Sequence, residues 1–538
     1  MVKNVLYLML LIVLVVVPIS GCSSGTATPA ATTAPGATTA PAATTVPPIS
    51  HALVVRMYGD PQSFNPDNAG DDNAFGPDQN IYSRLVKLDA SKAIIPDLAS
   101  SWTFSDDGKT ITFNLVHNAT WHDGVPVTSA DVKYTFEYIK GESTYFFNGY
   151  MQNVTSIDTP DDYTVVFHLA EANVALIGYL GWYGTFIVPK HIYDNGQKWD
   201  DNPAFMKPIG SGPFKFNEFV QGEKVVLDAN PNYFGGAPKL SQVIYSVIPD
   251  DATAVQALIN GEIDVLEGVP AADAASLQKN PDLRLKLNTY PSPMYIAFNF
   301  DYKPLQDVVL RTAIAMAVNR QEISDKIFLG QQTPEYDMYP SSITWATNNV
   351  NTAPKFDTAG ARALLESGGY KLDADGYYVR GLTFDVFQGY GFPESAQIIQ
   401  SNLKDAGIEV ILNVMEYNAW AAKVVTNHDY MLELQGGYQG PDPAALGSRV
   451  MTGAKMNQPH YSNPEVDALF AEGNRTGDMA TRASIYKHIQ AILAIDLPFV
   501  PIVSYAVYDA NNAHFINLPI DNAGKTGWAE YTLTEYVP

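Results

Sequence analysis

One cysteine, Cys22, is all the thiol that this chain of 538 residues carries. No intramolecular disulfide can form, so the fold must be held by packing. Positive charge is scarce as well: 33 Lys and Arg against 57 Asp and Glu leave a formal charge of -24, and no basic cluster occurs anywhere. A nucleic-acid partner would need a basic stripe to meet its phosphates, and that class is excluded. Charged residues of both signs make up only 17%, below the usual quarter, and the Thr, Asn, Ser and Tyr that replace them suit an extracellular surface. Catalytic and metal-binding patterns are missing too. There is no H-E-x-x-H, the nine histidines are scattered, and His117 and His122 are badly spaced for a shared metal. Gly108-Lys109-Thr110 and Gly524-Lys525-Thr526 end like a phosphate-binding loop, but Thr103 and Pro519 stand where its leading glycine belongs. Asp373-Ala374-Asp375-Gly376 opens like a calcium loop without the closing Glu. Gly21-Cys22-Ser23-Ser24-Gly25 fits G-x-S-x-G with neither the strand before it nor the helix after it. No metal, cofactor or catalytic group is expected.

What is present begins at the N-terminus. Lys3 precedes an apolar run over residues 5–17 that Pro18 ends, too short for a comfortable membrane span and right for a signal sequence. Ile19-Ser20-Gly21-Cys22 then resembles a lipobox, so residues 1–22 are read as a signal peptide with Cys22 as the lipid attachment site. The alternative is an uncleaved anchor helix. Not one charge lies between Lys3 and Arg56, and residues 23–50 are Thr, Ala and Pro with little else. Such a stretch buries too little apolar surface to offset chain entropy and reads as a disordered tether, reaching roughly 30 Å.

Strand, turn and helix signals start at His51. Residues 52–57 read as a strand and 61–78 as a long loop. Residues 102–115 read as a hairpin turning at Asp107-Gly108. Thr128-Ser129-Ala130-Asp131 matches a capping box, followed by Val132, Phe136 and Ile139 on one helical face with Gly141 as the stop. Twice the order is helix, glycine, strand: residues 251–260, Gly261 and 263–266, with Val255, Leu258 and Ile259 as the apolar face; then 394–406, Gly407 and 408–414. Two such units, well separated, predict two α/β lobes.

Residues 94–139, IIPDLASSWTFSDDGKTITFNLVHNATWHDGVPVTSADVKYTFEYI, are similar to the family 5 extracellular solute-binding proteins, the peptide- and nickel-binding components of ATP-binding cassette importers. Agreement continues in GSGPF (210–214), NPNYFGGAPKL (230–240), ALINGEIDV (257–265) and FNFDYKPLQDVVLRTAIAMAVNRQEI (298–323). It goes on in ARALLESGGY (361–370), YSNPEVDALF (461–470) and DLPFVPIVSYAVYDA (496–510). The resemblance implies an α/β, two-lobe periplasmic-binding-protein-like fold of the large peptide-binding class. Lobe one is expected at 52–85, 171–297 and 505–538, an inserted α+β subdomain at 86–170, and lobe two at 298–504. It further implies a monomer, lipid-anchored on the outer face of the cytoplasmic membrane, that closes on a peptide or other uncharged solute and delivers it to permease subunits. A secreted hydrolase, or a sensor or surface protein reusing the lobes, stands as the alternative.

Open α/β sheets bind ligands beyond the carboxyl ends of their strands, so the loop QGGYQGPDP (435–443) is expected to face the cleft. Similar peptide binders often read W-G-x-D-Y-x-D-P there, the first aspartate gripping the peptide ammonium. This chain places Gly436 at the tryptophan, Gln439 at that aspartate and Asp442 at the second. Gly389 likewise stands where dipeptide binders carry an arginine. Gly437, Tyr438, Gln439 and Asp442 are the expected ligand-binding loop. Tyr390, Tyr417, Trp420 and Phe75 are expected to complete an aromatic, uncharged lining, with ordinary core packing as the equal alternative for Tyr417 and Trp420. Trp102, Trp121 and His122 are assigned to packing of the insertion.

Overall fold

Strand Ala52–Met57 forms where the alternation places it, with Leu53 and Val55 fully buried. It runs parallel to Gln242–Val247 on one side and touches Val265–Val269 on the other. Lys224–Ala229 and Phe214–Val220 extend that edge in antiparallel fashion. A second parallel set places Val379–Phe387 between Ile408–Met415 and Leu432–Gly436. Two long antiparallel strands, Leu283–Phe298 and Phe499–Asn512, join both sets into one eleven-stranded sheet. Their pairing is irregular between Thr289 and Pro293 and again between Met294 and Tyr295. The computed structural model describes residues 51–67, 72–89, 93–142, 145, 147–182, 184–338, 343–347, 353–389, 391–437, 440, 442–454, 456–519 and 529–538. The expected signal peptide, Cys22 and the tether lie outside them, as do Tyr390, Tyr438 and Gln439.

Apolar side chains collect on both sides of this sheet. One cluster gathers Leu53, Val55, Phe113, Phe136 and Phe214. Another holds Ile296, Phe384, Ile399, Leu432 and Val500, and a third, on the other face of the same strands, holds Tyr295, Leu446, Phe470 and Tyr486. Residues 86–170 do contain the expected helix and hairpin. Ala99–Phe104 pairs with Thr110–Leu115, placing Trp102 opposite Phe113, and two further strands make a four-stranded sheet. Helix Ser129–Gly141 is capped by the backbone N–H of Thr128, which donates to Asp131 Oδ2 at 2.8 Å. Val132, Phe136 and Ile139 are fully buried as predicted, within the same cluster as Leu53.

His122 ties this segment to the GSGPF motif. Its Nδ1 accepts from Gly210 N at 3.3 Å, and its Nε2 lies 3.1 Å from the Gly212 carbonyl. Burial pulls the imidazole pKa down to about 4, the bond to Gly212 offsetting only part of it, so the ring is neutral at pH 7. The glycines themselves are required by the chain they cross. A Cβ at Gly210 would stand 1.9 Å from the Ile81 carbonyl oxygen, and one at Gly212 2.6 Å from that of Asn80.

Three local expectations differ from the structure. The loop expected over 61–78 contains the start of helix Asp72–Ile81, which runs through Pro77. Tertiary bonds override poor helix formers here: Asn80 Nδ2 donates to the Gly76 carbonyl at 3.0 Å, to Tyr245 Oη at 2.9 Å and to the Ala529 carbonyl at 2.9 Å. Helix Asp251–Asn260 ends at a left-handed Gly261 as read, but Ile259 is 45% exposed and the returning strand is Val265–Val269. The helix expected at 394–406 spans Phe392–Asp405. At the other end of the chain, residues 529–538 return to the first cluster. Tyr531 is fully buried, its N–H donates to Asn80 Oδ1 at 3.0 Å, and Glu530 pairs with the half-buried Lys87.

Candidate functional site

The three parallel strands of the second set end level with one another. Val386 stands opposite both Leu434 and Val414, and Phe387 opposite Met415, so their carboxyl ends face one space. Gly436 closes one flank of that row, where only glycine fits. A Cβ there would come within 2.9 Å of the Tyr505 ring, 3.3 Å of the Pro293 carbonyl oxygen and 3.4 Å of Phe392. Aromatic rings fill the rest. Phe387 packs against Phe392 and Trp420, each with centroids 4.8 Å apart, and against Tyr417 at 5.2 Å.

These rings divide by exposure. Tyr417 is 53% exposed and offers a free face, as a ligand-facing ring must. Trp420 is 3% exposed and belongs to the second apolar cluster, which corrects its expected place in the lining. The π-helical turn Ala421–Thr426 that follows carries Lys423, whose Nζ donates to the buried Asp385 at 2.8 Å and pins the turn against the sheet. Phe75 sits on helix Asp72–Ile81 with 5% exposure, not in a loop.

Asp442 differs more from its expected role. Both carboxylate oxygens are held by Arg482, Oδ2 by Nη1 at 2.8 Å and Oδ1 by Nη2 at 2.7 Å, and both side chains are almost wholly buried. Asp442 also caps the short helix Pro443–Leu446 through Ala444 N at 2.9 Å. Burial acts against the Arg482 charge, but Asp442 and Tyr486 outweigh it and hold the guanidinium pKa above its ordinary value. A carboxylate spent in this way fixes the loop and is not free for a ligand.

The loop so fixed lies against the helix Leu176–Leu180. A Cβ at Gly178 would be 3.6 Å from the Asp442 Cβ, and one at Gly440 3.8 Å from Tyr179 Oη. Tyr179 stacks on Tyr150, centroids 4.2 Å apart. At Gly437 the neighbour is Arg449, whose Nη2 would be 3.7 Å from an added Cβ. Arg449 Nη1 donates to Tyr295 Oη at 2.7 Å. Behind it Glu433 is fully buried; Gln435 Nε2 donates to its Oε1 at 2.6 Å and also to Gln458, while Oε2 has no partner among the described residues. Burial, with Asp385 adding to it, pushes the Glu433 carboxyl up to about 8, although Gln435 and Arg449 act the other way. Sequence reading passed over Arg449, Glu433, Tyr150 and Tyr179. The one available signal was that residues 434–464 contain only three charges, Asp442, Arg449 and Lys455.

Residues 93–458 match the family model described as bacterial extracellular solute-binding proteins, family 5 Middle. The chain belongs to this family. The oligopeptide-binding protein AppA of Bacillus subtilis is 30% identical over 475 residues, covering 83% of this chain and 85% of AppA. Among solved structures, the substrate-binding protein CtaP of Listeria monocytogenes superposes with a TM-score of 0.78 at 27% identity, covering 91% of this chain and all of CtaP. Bacillus subtilis AppA in complex with a nonapeptide gives 0.68 at 26%, covering 90% and 99%. As a family member the chain is a solute-binding protein and not an enzyme, and its mixed α/β body has the two-lobe form of those structures.

Proposed function

We propose that the protein is the solute-binding component of an ATP-binding cassette importer, held to the membrane through a lipid on Cys22 and taking oligopeptides between its lobes. The observation that carries this reading is the level row of strand ends, with Gly436 against Phe392 and with Phe387 and Tyr417 beside it, followed by a loop that packs on the helix Leu176–Leu180. A peptide needs close backbone approach and flat apolar faces more than it needs charge, and glycine with aromatic rings supplies both. A ligand that touches both lobes binds the closed form better and shifts the population toward it, and the permease reads that form. Similarity to AppA, a binder of oligopeptides by name and of a nonapeptide in its structure, supports the substrate class.

Tyr438, Gln439 and Tyr390 are assigned to ligand contact on their place in the sequence. With Gln at 439 the loop lacks the carboxylate that would grip a free ammonium, so the preferred guest is one whose amino end is unbound or blocked. Denaturing the purified protein and identifying the released small molecules by mass spectrometry tests the reading. Oligopeptides are expected, and sugars or nothing would overturn it. Gln439→Asp is expected to raise affinity for peptides with a free amino end about tenfold, read by calorimetry against N-acetylated copies. Labelling with radioactive palmitate, lost in Cys22→Ala, tests the anchor.

A further inference from the structure

Most arginines among the described residues have their guanidinium groups satisfied by acids or carbonyls. Arg56 pairs with Asp251, Arg380 with Asp373 and Asp375, and Arg482 with Asp442, while Arg311 and Arg320 bond backbone carbonyls. Arg284 and Arg475 are exposed and meet water. Arg449 bonds neither an acid nor a carbonyl among the described residues. It is half-buried, and its one bond among the described residues is the donation from Nη1 to Tyr295 Oη. Glu433 is close enough to feel it, yet burial keeps that carboxyl protonated at pH 7, so it supplies no counter-charge. Arg449 keeps part of its surface in water, and among the described residues its Nε and Nη2 bond no protein atom.

The position of Arg449 gives those donors a use. Nη2 borders Gly437, the first residue beyond the strand row. The charge is felt by Tyr150, which stacks on Tyr179 across from the loop. Its neighbours are therefore a glycine that leaves room, a tyrosine that fixes it from beneath and two stacked rings opposite.

We infer that Arg449 is a specificity-determining residue that receives a carboxylate of the bound solute through its unspent Nε and Nη2 donors. The inference rests on the peptide reading above and narrows it: the loop offers no anion at Gln439 but a cation at Arg449, so the site selects for negative charge on its guest. Guanidinium matches carboxylate in a fork of two parallel bonds, which a lysine ammonium cannot reproduce. In a peptide that carboxylate is either the chain end or an Asp or Glu side chain.

The test uses the full chain in detergent and a pool of random nonapeptides in four arms: C-terminal acid or carboxamide, each with or without Asp and Glu. Retained peptides are counted by mass spectrometry for the wild type, Arg449→Gln and Arg449→Lys. The wild type is expected to retain carboxylate-bearing peptides over the uncharged arm. Arg449→Gln should reduce that preference about tenfold or more, with Arg449→Lys recovering part. Enrichment of the acid-ended arm assigns the contact to the chain end, and enrichment of the Asp/Glu arms to a side chain. A wild type without preference overturns the inference, as does Arg449→Gln with full preference. Equal weakening in all four arms would reveal a merely structural residue and overturn it too. If the wild type retains no peptide in any arm, the peptide reading fails first and takes the inference with it.

Discussion

Glu433 lies on a strand between Leu432 and Leu434, points to the opposite face, and there meets Gln435 and the field of Arg449. Its folded pKa of about 8 against an ordinary 4.5 has a consequence with a definite sign. Below pH 4.5 folded and unfolded chains both hold the proton and stability is unaffected. From 4.5 to about 8 the unfolded chain gives it up while the folded one keeps it. Stability therefore falls by up to ~1.4 kcal/mol per pH unit and the loss is complete above about 8. Glu433→Gln should match the wild type in urea denaturation at pH 4.5 and exceed it at pH 8. Equal pH profiles would show that the carboxyl is not buried as described. Single residues were the least legible scale from sequence. Trp420 and Tyr417 are three apart and both pack on Phe387, yet Trp420 joins the second apolar cluster at 3% exposure while Tyr417 is 53% exposed. Asp442 was visible as a carboxylate, but its partner Arg482 lies forty residues away and no local pattern announces it.

Elements carried their signals better wherever capping chemistry and periodicity agreed. Thr128 with Asp131, and Gly261 at the end of helix Asp251–Asn260, are local devices, and both elements form where they were expected. Helix Asp72–Ile81 was missed because Gly76 and Pro77 argue against it locally, while the bonds that hold it come from Tyr245 and Ala529, far off in the sequence. The short helix Pro443–Leu446 owes its place to a long-range bond of the same kind. Asp442→Asn retains a capping oxygen but removes the charge facing Arg482, leaving that guanidinium buried and unpaired. The expected loss is about 3 to 5 kcal/mol in chemical denaturation. A loss below about 1 kcal/mol would mean that water reaches Arg482 and that the loop is held by something else.

For the molecule as a whole, the two-lobe form was legible because eight motifs follow one another in family order. What the motifs did not announce is that one sheet runs through the entire body. The long strands Leu283–Phe298 and Phe499–Asn512 cross together, and their register slips at Thr289/Pro293 and Met294/Tyr295 are where such a ribbon bends most easily. Closure can be followed with dyes because Cys22→Ser leaves no thiol in the chain. Cysteines introduced at Val125 and Ile411, 40% and 50% exposed, place one label on each half. Energy transfer between them is expected to rise when the nonapeptide pool is added. Constant transfer during demonstrated binding would exclude closure.

The return of residues 529–538 to Asn80 and Lys87 also bears on how the protein is made. Helix Asp72–Ile81 is completed by Tyr531, 451 positions further along the chain than Asn80. Until Tyr531 is in place, the pocket around helix Asp72–Ile81 lacks its plug. The helix formed early in the chain therefore stays incomplete until that distant segment docks.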